Sequence, residues 1–213
     1  MKRIITVLVV IASIVLAYMC YRSVASSENF TKIKNKREAA IQARLKKVAT
    51  AENAFESVYD RYATAEELES FLTNGKVFNV IAEGDYTDEM REKGISEREA
   101  ARQGLIKRDT VWTDAKSVLL QDGMTAQEFL EVPGFPGKKI EIDTASVAQE
   151  IGDDTINKSV FRAAVPFTVY LSDQNAQLLK SCIFEAKQRY NGTGYPGLAL
   201  GSLTEIKTTG NWE

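Results

Sequence analysis

Gly192-Thr193-Gly194-Tyr195-Pro196-Gly197 spells G-x-G-x-x-G, a pattern whose backbone amides cradle a pyrophosphate when the glycines follow a strand and open a helix. Here the order is reversed. A helix-patterned stretch precedes the glycines, a strand-like run follows, and Pro196 suits a loop, so a helix stop and turn is expected. Gly134-Phe135-Pro136-Gly137-Lys138-Lys139 lacks the G-x-x-x-x-G-K-[ST] spacing of a phosphate loop and is likewise expected to turn. Glu66, Glu67 and Glu69, with Asp153 and Asp154, have the chemistry to hold a hard cation or to hydrolyse a glycosidic bond between two carboxylates. Nothing spaces them as an EF-hand loop, and a solvated acidic surface is expected. Histidine is absent, which removes the usual Ser-His-acid, Cys-His and His-zinc sites. Cys182 is therefore expected to be a packed thiol, and with Cys20 inside an apolar segment no intramolecular disulfide is implied. No catalytic residue, cofactor, metal or nucleic-acid partner is expected.

The elements that would position such residues begin with Ile4 to Tyr21, eighteen residues without a charge, flanked by Lys2, Arg3 and Arg22. As a helix this run is about 27 Å long, close to the hydrocarbon thickness of a bilayer. Tyr18 and Tyr21 suit its interfacial end. Membrane lipid is thus the expected partner of residues 4–21. Ser23-Val24-Ala25 offers small residues to a signal peptidase, but the run exceeds an h-region and Arg22 intrudes, which favours an anchor. Arg22, Lys32, Lys34, Lys36 and Arg37 argue for a cytoplasmic domain by the positive-inside rule. Lys2 and Arg3 form a signal-like start, and long domains translocate largely regardless of charge, so an N-in anchor with its domain outside the cytoplasm is expected.

Three segments follow: a transmembrane anchor over 1–22, a helical stalk over 23–62, and a soluble α+β domain over 63–213. Residues 1–62 carry eleven Lys/Arg against five Asp/Glu, and residues 63–213 sixteen against twenty-four, so the chain is basic at its start and acidic beyond. After a Ser-rich joint at Ser23 to Ser27, apolar residues recur at Ile33, Ile41, Leu45, Val48, Ala51, Phe55, Val58 and Tyr62, the period of an amphipathic helix. Lys34, Arg44, Lys47 and Glu56 are expected on its solvated face, and Phe55, Tyr59 and Tyr62 in its core. Thr64 and Glu67 form a capping box for a second helix ending near Gly75. Strands are expected over Lys76–Ala82, Leu105–Thr113, Lys139–Thr144, Ser159–Tyr170 and Leu198–Lys207. A short helix is expected after the capping pattern at Ser96, stopping at Gly104, and a turn or short helix is expected near Thr125. A last helix runs from Gln174 to Tyr190, capped by Asp173, with Ala176, Leu179, Ile183, Ala186 and Tyr190 on one face. Strands among short helices define an α+β class with a small, mainly antiparallel sheet.

With Tyr59-Asp60-Arg61-Tyr62 in line behind the anchor and stalk, the first 75 or so residues resemble type IV pilins and pseudopilins. Two features depart from that family: no glycine precedes a Phe-Thr-Leu-type start, and no glutamate lies within Ile4 to Tyr21. Over nearly its whole length the chain is also similar to an uncharacterised family of bacterial single-pass envelope membrane proteins. That likeness rests on Lys36-Arg37-Glu38-Ala39-Ala40, Ala51-x-x-Ala54-Phe55, Tyr59-x-x-Tyr62, Gly104 to Thr110, Tyr195-Pro196-Gly197-Leu198, Gly201 to Glu205 and Gly210-Asn211-Trp212-Glu213. The second resemblance supplies no activity. The anchor, the stalk and the lack of a catalytic constellation lead to the expectation of a structural or assembly component of the bacterial inner membrane, its domain in the periplasm, with protein partners or self-association. An envelope hydrolase using carboxylates and a tethered ligand-binding or sensor module are the alternatives.

Overall fold

The first glycine in the chain is Gly75 and the first proline Pro133, so no backbone punctuation interrupts the opening third. In the computed structural model, which describes residues 2–83, 87–92, 94, 96, 99, 102–103, 107–120, 123–151 and 154–213, that third is one helix, α1 (Lys2–Tyr59). It runs straight through the Ser-rich stretch where the sequence pattern suggested a joint. Hydroxyls able to compete with the helix bond back into it instead: Thr31 Oγ1 donates to the Ser27 carbonyl at 3.0 Å and Ser13 Oγ to the Val9 carbonyl at 2.9 Å. The helix ends where Asp60 takes φ +57° and its amide donates back to the Glu56 carbonyl, a left-handed stop that aspartate tolerates better than most residues.

α2 (Ala65–Asn74) follows, with the expected capping box: the Thr64 amide donates to Glu67 Oε2 at 2.9 Å and the Glu67 amide to Thr64 Oγ1 at 3.4 Å. β1 (Lys76–Glu83) pairs antiparallel with β2 (Lys107–Asp114), with α3 (Asp88–Glu92) between them. Ser96 Oγ accepts the Glu99 amide, as its capping pattern predicts; Gly104, Leu105 and Ile106 lie outside the described residues. Next come α4 (Ala115–Leu119) and α5 (Ala126–Leu130), the latter opened by a Thr125–Glu128 capping box. β3 (Glu141–Ile151), β4 (Asp154–Pro166) and β5 (Gly197–Gly201) form an antiparallel sheet in that order. The fold is therefore α+β, with two small antiparallel sheets.

The strand expected over Lys139–Thr144 starts at Glu141 and runs on to Ile151, and the one expected from Ser159 starts at Asp154, because the two pair with each other along a longer hairpin; three further boundaries also differ. The strand expected to reach Tyr170 stops at Pro166, which has no N–H for a ladder. Phe167 then opens a helical turn, α6 (Phe167–Tyr170), and its amide donates to the Pro196 carbonyl. The last strand ends at Gly201, where φ +85° turns the chain away. α7 (Ala176–Gly192) is capped by Asn175, whose Oδ1 accepts the Gln177 and Leu178 amides at 2.9 and 3.2 Å, while Asp173 is drawn into a long-range ion pair.

The second half of α1 is the spine of the α+β head. Phe30, Ile41, Leu45, Val48, Ala51 and Phe55 are buried in one core with Leu68, Phe71 and Leu72 of α2, Phe161, Ala163 and Val165 of β4, and Leu198 and Leu200 of β5. Ile33, Val58 and Tyr62, expected on the same face, are half-buried. The first half behaves differently, since every described side chain from Thr6 to Val24 is exposed. Leu45→Ala should cost about 2 to 5 kcal/mol in denaturant unfolding of the detergent-solubilised chain, and Leu16→Ala less than about 0.5 kcal/mol. Equal costs would contradict the division of α1 into an exposed and a buried half.

Candidate functional site

Between its two ends α1 changes from a helix apolar all round to one apolar along a single stripe. The exposed end includes Val7, Val10, Ile11, Ile14, Leu16 and Met19, each at least half exposed. Among the described residues α1 is the one helix long and apolar enough to cross a membrane by length and composition. In water such a surface is unfavourable by roughly 25 cal/mol per Å², and a contiguous patch of this kind marks a lipid or protein contact.

Polar residues of the buried half fasten the head to this helix. Arg37 Nη1 and Nη2 donate to the two Asp173 oxygens at 2.6 and 2.8 Å, and Nη1 also reaches the Tyr170 carbonyl at 2.7 Å. The guanidinium holds the Asp173 carboxyl far below its ordinary range. Tyr170 Oη donates to Glu38 Oε1 at 3.0 Å, and burial, with Glu38 adding to it, pushes that phenol up. Arg44, expected on a solvated face, instead donates to the Glu128 and Phe129 carbonyls at 2.8 Å. It thereby gives the Phe129 carbonyl near the end of α5 a partner and shares the Glu128 carbonyl with the Glu131 amide. Lys34 lies over the Phe167 ring, and only Lys47 of the expected cations points freely to solvent.

Glu52 has no counterpart in the sequence pattern, because it sits within the apolar stripe. It is fully buried. Its Oε2 accepts the Ala63 amide at 2.9 Å, and Oε1 has no partner. Burial pushes this carboxyl up to about 7. Together with Glu67, which pairs with Arg61 at 2.7 and 3.0 Å and is held down to about 2 by that pairing, Glu52 secures the reversal from α1 into α2. The spacing of Glu52 and Ala63 spans the helix end, and only the observed reversal brings them together.

The acidic residues weighed for catalysis have other occupations. Glu67 belongs to the cap and to Arg61, Glu69 pairs with Lys139 at 3.1 Å, and Glu66 is exposed. Asp153 and the Asp154 side chain lie outside the described residues. Glu128 and Glu131 line one cleft of about 430 Å³ beside Arg44, but they come from one continuous segment, and Glu128 is taken up by Thr125. Among the described residues no group of three or more Cys, Asp or Glu side chains converges as metal ligands would. Cys182 is half-buried, and burial raises its thiol pKa. Of the aromatic stripe, Phe55 is buried, Tyr62 packs on Phe161 at 4.6 Å, and Tyr59 leaves half its surface in water while touching Phe55 at 4.4 Å.

Both glycine motifs are turns. Gly192 ends α7 at φ +90°, and a Cβ at Gly194 or Gly197 would run into the carbonyls of Ala186 and Val165. The glycines admit close backbone packing between a helix and the strand that follows it.

These features define an α+β protein carrying one exposed apolar helix of membrane-crossing length. Compared with models of known families, with curated proteins and with solved structures, the chain matches none of them.

The buried carboxyl makes stability depend on pH. Glu52 has a folded pKa above its unfolded one, so the folded state holds the extra proton between about 4.5 and 7, and stability falls as pH rises through that window. The full effect is on the order of 3 kcal/mol. Glu67, depressed to about 2, acts oppositely and loses its contribution as pH falls below about 4.5. Glu52→Gln keeps an acceptor for Ala63 and removes the charge. Its denaturation midpoint should stay level between about pH 5 and 8 while that of the parent chain declines; a parallel decline in both contradicts the assignment.

Proposed function

We propose that this protein is a non-catalytic structural or assembly component of the bacterial envelope, anchored once in the inner membrane with its α+β head in the periplasm and built in the manner of a pilin or pseudopilin. The observation that carries this is α1 itself. One uninterrupted helix supplies both an exposed apolar half and the spine of the head's core, so the head has a fixed rod by which to stand at a bilayer and meet neighbours. The likeness of residues 1–75 to pilins and pseudopilins supports the same conclusion.

Protein contact has two candidate faces. The β1–β2 ribbon exposes Trp112, 54% accessible and edge-on to Phe78 at 5.4 Å, and the β3–β4 hairpin exposes Ile156 near its tip. Solvent-exposed aromatic and aliphatic groups on unpaired antiparallel ribbons suit assembly.

A photo-crosslinking residue placed at Ile14 or at Trp112 of the full chain, activated in native membranes, tests the proposal. Discrete protein adducts, either self-adducts or a single partner, are expected at one position or both. Recovery of only uncrosslinked chain from both positions contradicts an assembly role.

A further inference from the structure

The clefts on the molecule differ in their charge. Those beside Arg44, Arg162, Lys34 and Lys116 each have a carboxylate on their walls, from Glu131, Glu205, Glu38 and Glu69 respectively. A further open cleft of about 670 Å³ has none. It lies where the apolar half of α1 passes the start of α7, and its one charged side chain is Arg22. Ser26, Gln177 and Ser181 supply hydroxyl and amide groups around it, and Met19 and Leu178 supply apolar wall. Among the described residues Arg22 has no ion-pair partner, whereas Arg37, Arg61 and Arg162 each hold a carboxylate.

Position gives this cleft its meaning. Arg22 is the first charge after eighteen uncharged residues. If those residues fill the hydrocarbon layer, its guanidinium stands among the headgroups, where long basic side chains extend from helix ends. A guanidinium matches a phosphate by two parallel charge-assisted hydrogen bonds. The surrounding hydroxyls and amide suit the polyol of a headgroup, and Met19 and Leu178 suit the glycerol and upper acyl carbons beneath it. Without a wall carboxylate, nothing there neutralises an ammonium headgroup. The volume falls within the range of small-molecule sites.

We propose that this cleft binds the phosphodiester headgroup of an anionic phospholipid from the leaflet next to the head. The inference rests on the membrane-anchored function proposed above. It assigns Arg22 as the phosphate-binding residue and makes a lipid the wedge between α1 and α7.

The test uses the full chain in bilayer nanodiscs of equimolar phosphatidylcholine and phosphatidylglycerol, with retained lipids counted by native mass spectrometry after gentle release. Phosphatidylglycerol is expected to be retained in preference to phosphatidylcholine. Arg22→Gln should reduce that preference roughly tenfold, the loss of one charge-assisted contact. Ser181→Phe, which fills the cleft from an exposed position, should abolish it, and Lys36→Gln, an exposed cation further along α1, should leave it intact. Lipids retained at their bulk ratio overturn the proposal, as does an equal loss in Lys36→Gln and Arg22→Gln, the mark of diffuse attraction. Soluble glycerophosphate retained as well as the lipid also overturns it. A chain that washes from the bilayer in alkaline carbonate contradicts the anchor itself, whereas a stably inserted chain without lipid preference overturns the cleft alone.

Discussion

Backbone amides and carbonyls in hydrocarbon must be satisfied within the segment that carries them, so an apolar run that meets lipid has to remain helical to its end. In this protein the helix does not stop there. With no glycine or proline before Gly75, α1 continues to Tyr59, and its solvent requirement changes along its length. Up to Val24 the described side chains are all exposed; from Phe30 onward the apolar ones gather on a stripe that the head covers. The head's core is built on that stripe, and so its position relative to the apolar end is set by helical geometry.

The polar residues on the spine explain how short elements with little core of their own stay in place. α6 is a single turn, yet Arg37 and Glu38 hold the carbonyl and hydroxyl of Tyr170. α5 is barely longer, and Arg44 takes its last carbonyls. The exposed Arg37–Asp173 pair contributes little by charge alone. The bonds to backbone carbonyls matter more, because the Tyr170 and Phe129 carbonyls lie at helix ends where intrahelical partners run out. Glu52 is the exception in cost: an ionisable group in the core, kept because it closes the reversal between α1 and α2. A carboxyl so placed is neutral below about 7, which ties the joint between spine and head to the pH around it.

Much of this was legible in the residues. Ile41, Leu45, Val48, Ala51 and Phe55 have helical spacing, and they are buried together. Thr64 and Glu67 announce a helix start through chemistry contained in four residues, and their capping box forms. What stayed hidden depends on distant partners. Asp173 has the right place for a cap, but Arg37, remote in sequence, competes for it and Asn175 caps instead. Arg44 has the pattern of a solvated cation until α5 folds against it. The Ser-rich stretch has the composition of a joint, yet it contains neither of the strong helix breakers, glycine and proline. The Arg22 cleft could not be foreseen, since its walls come from segments about 150 residues apart in the chain.

Continuity of α1 across Ser23 to Ser27 carries the account, and a distance measured across that stretch tests it most directly. Spin labels at Leu16 and Lys32, with the full chain in a bilayer, flank the stretch on either side. A continuous helix predicts one narrow distribution, with backbone positions about 24 Å apart. A broad or two-peaked distribution, or a mature chain that has lost the first label, would show that the apolar segment and the head are not one rod.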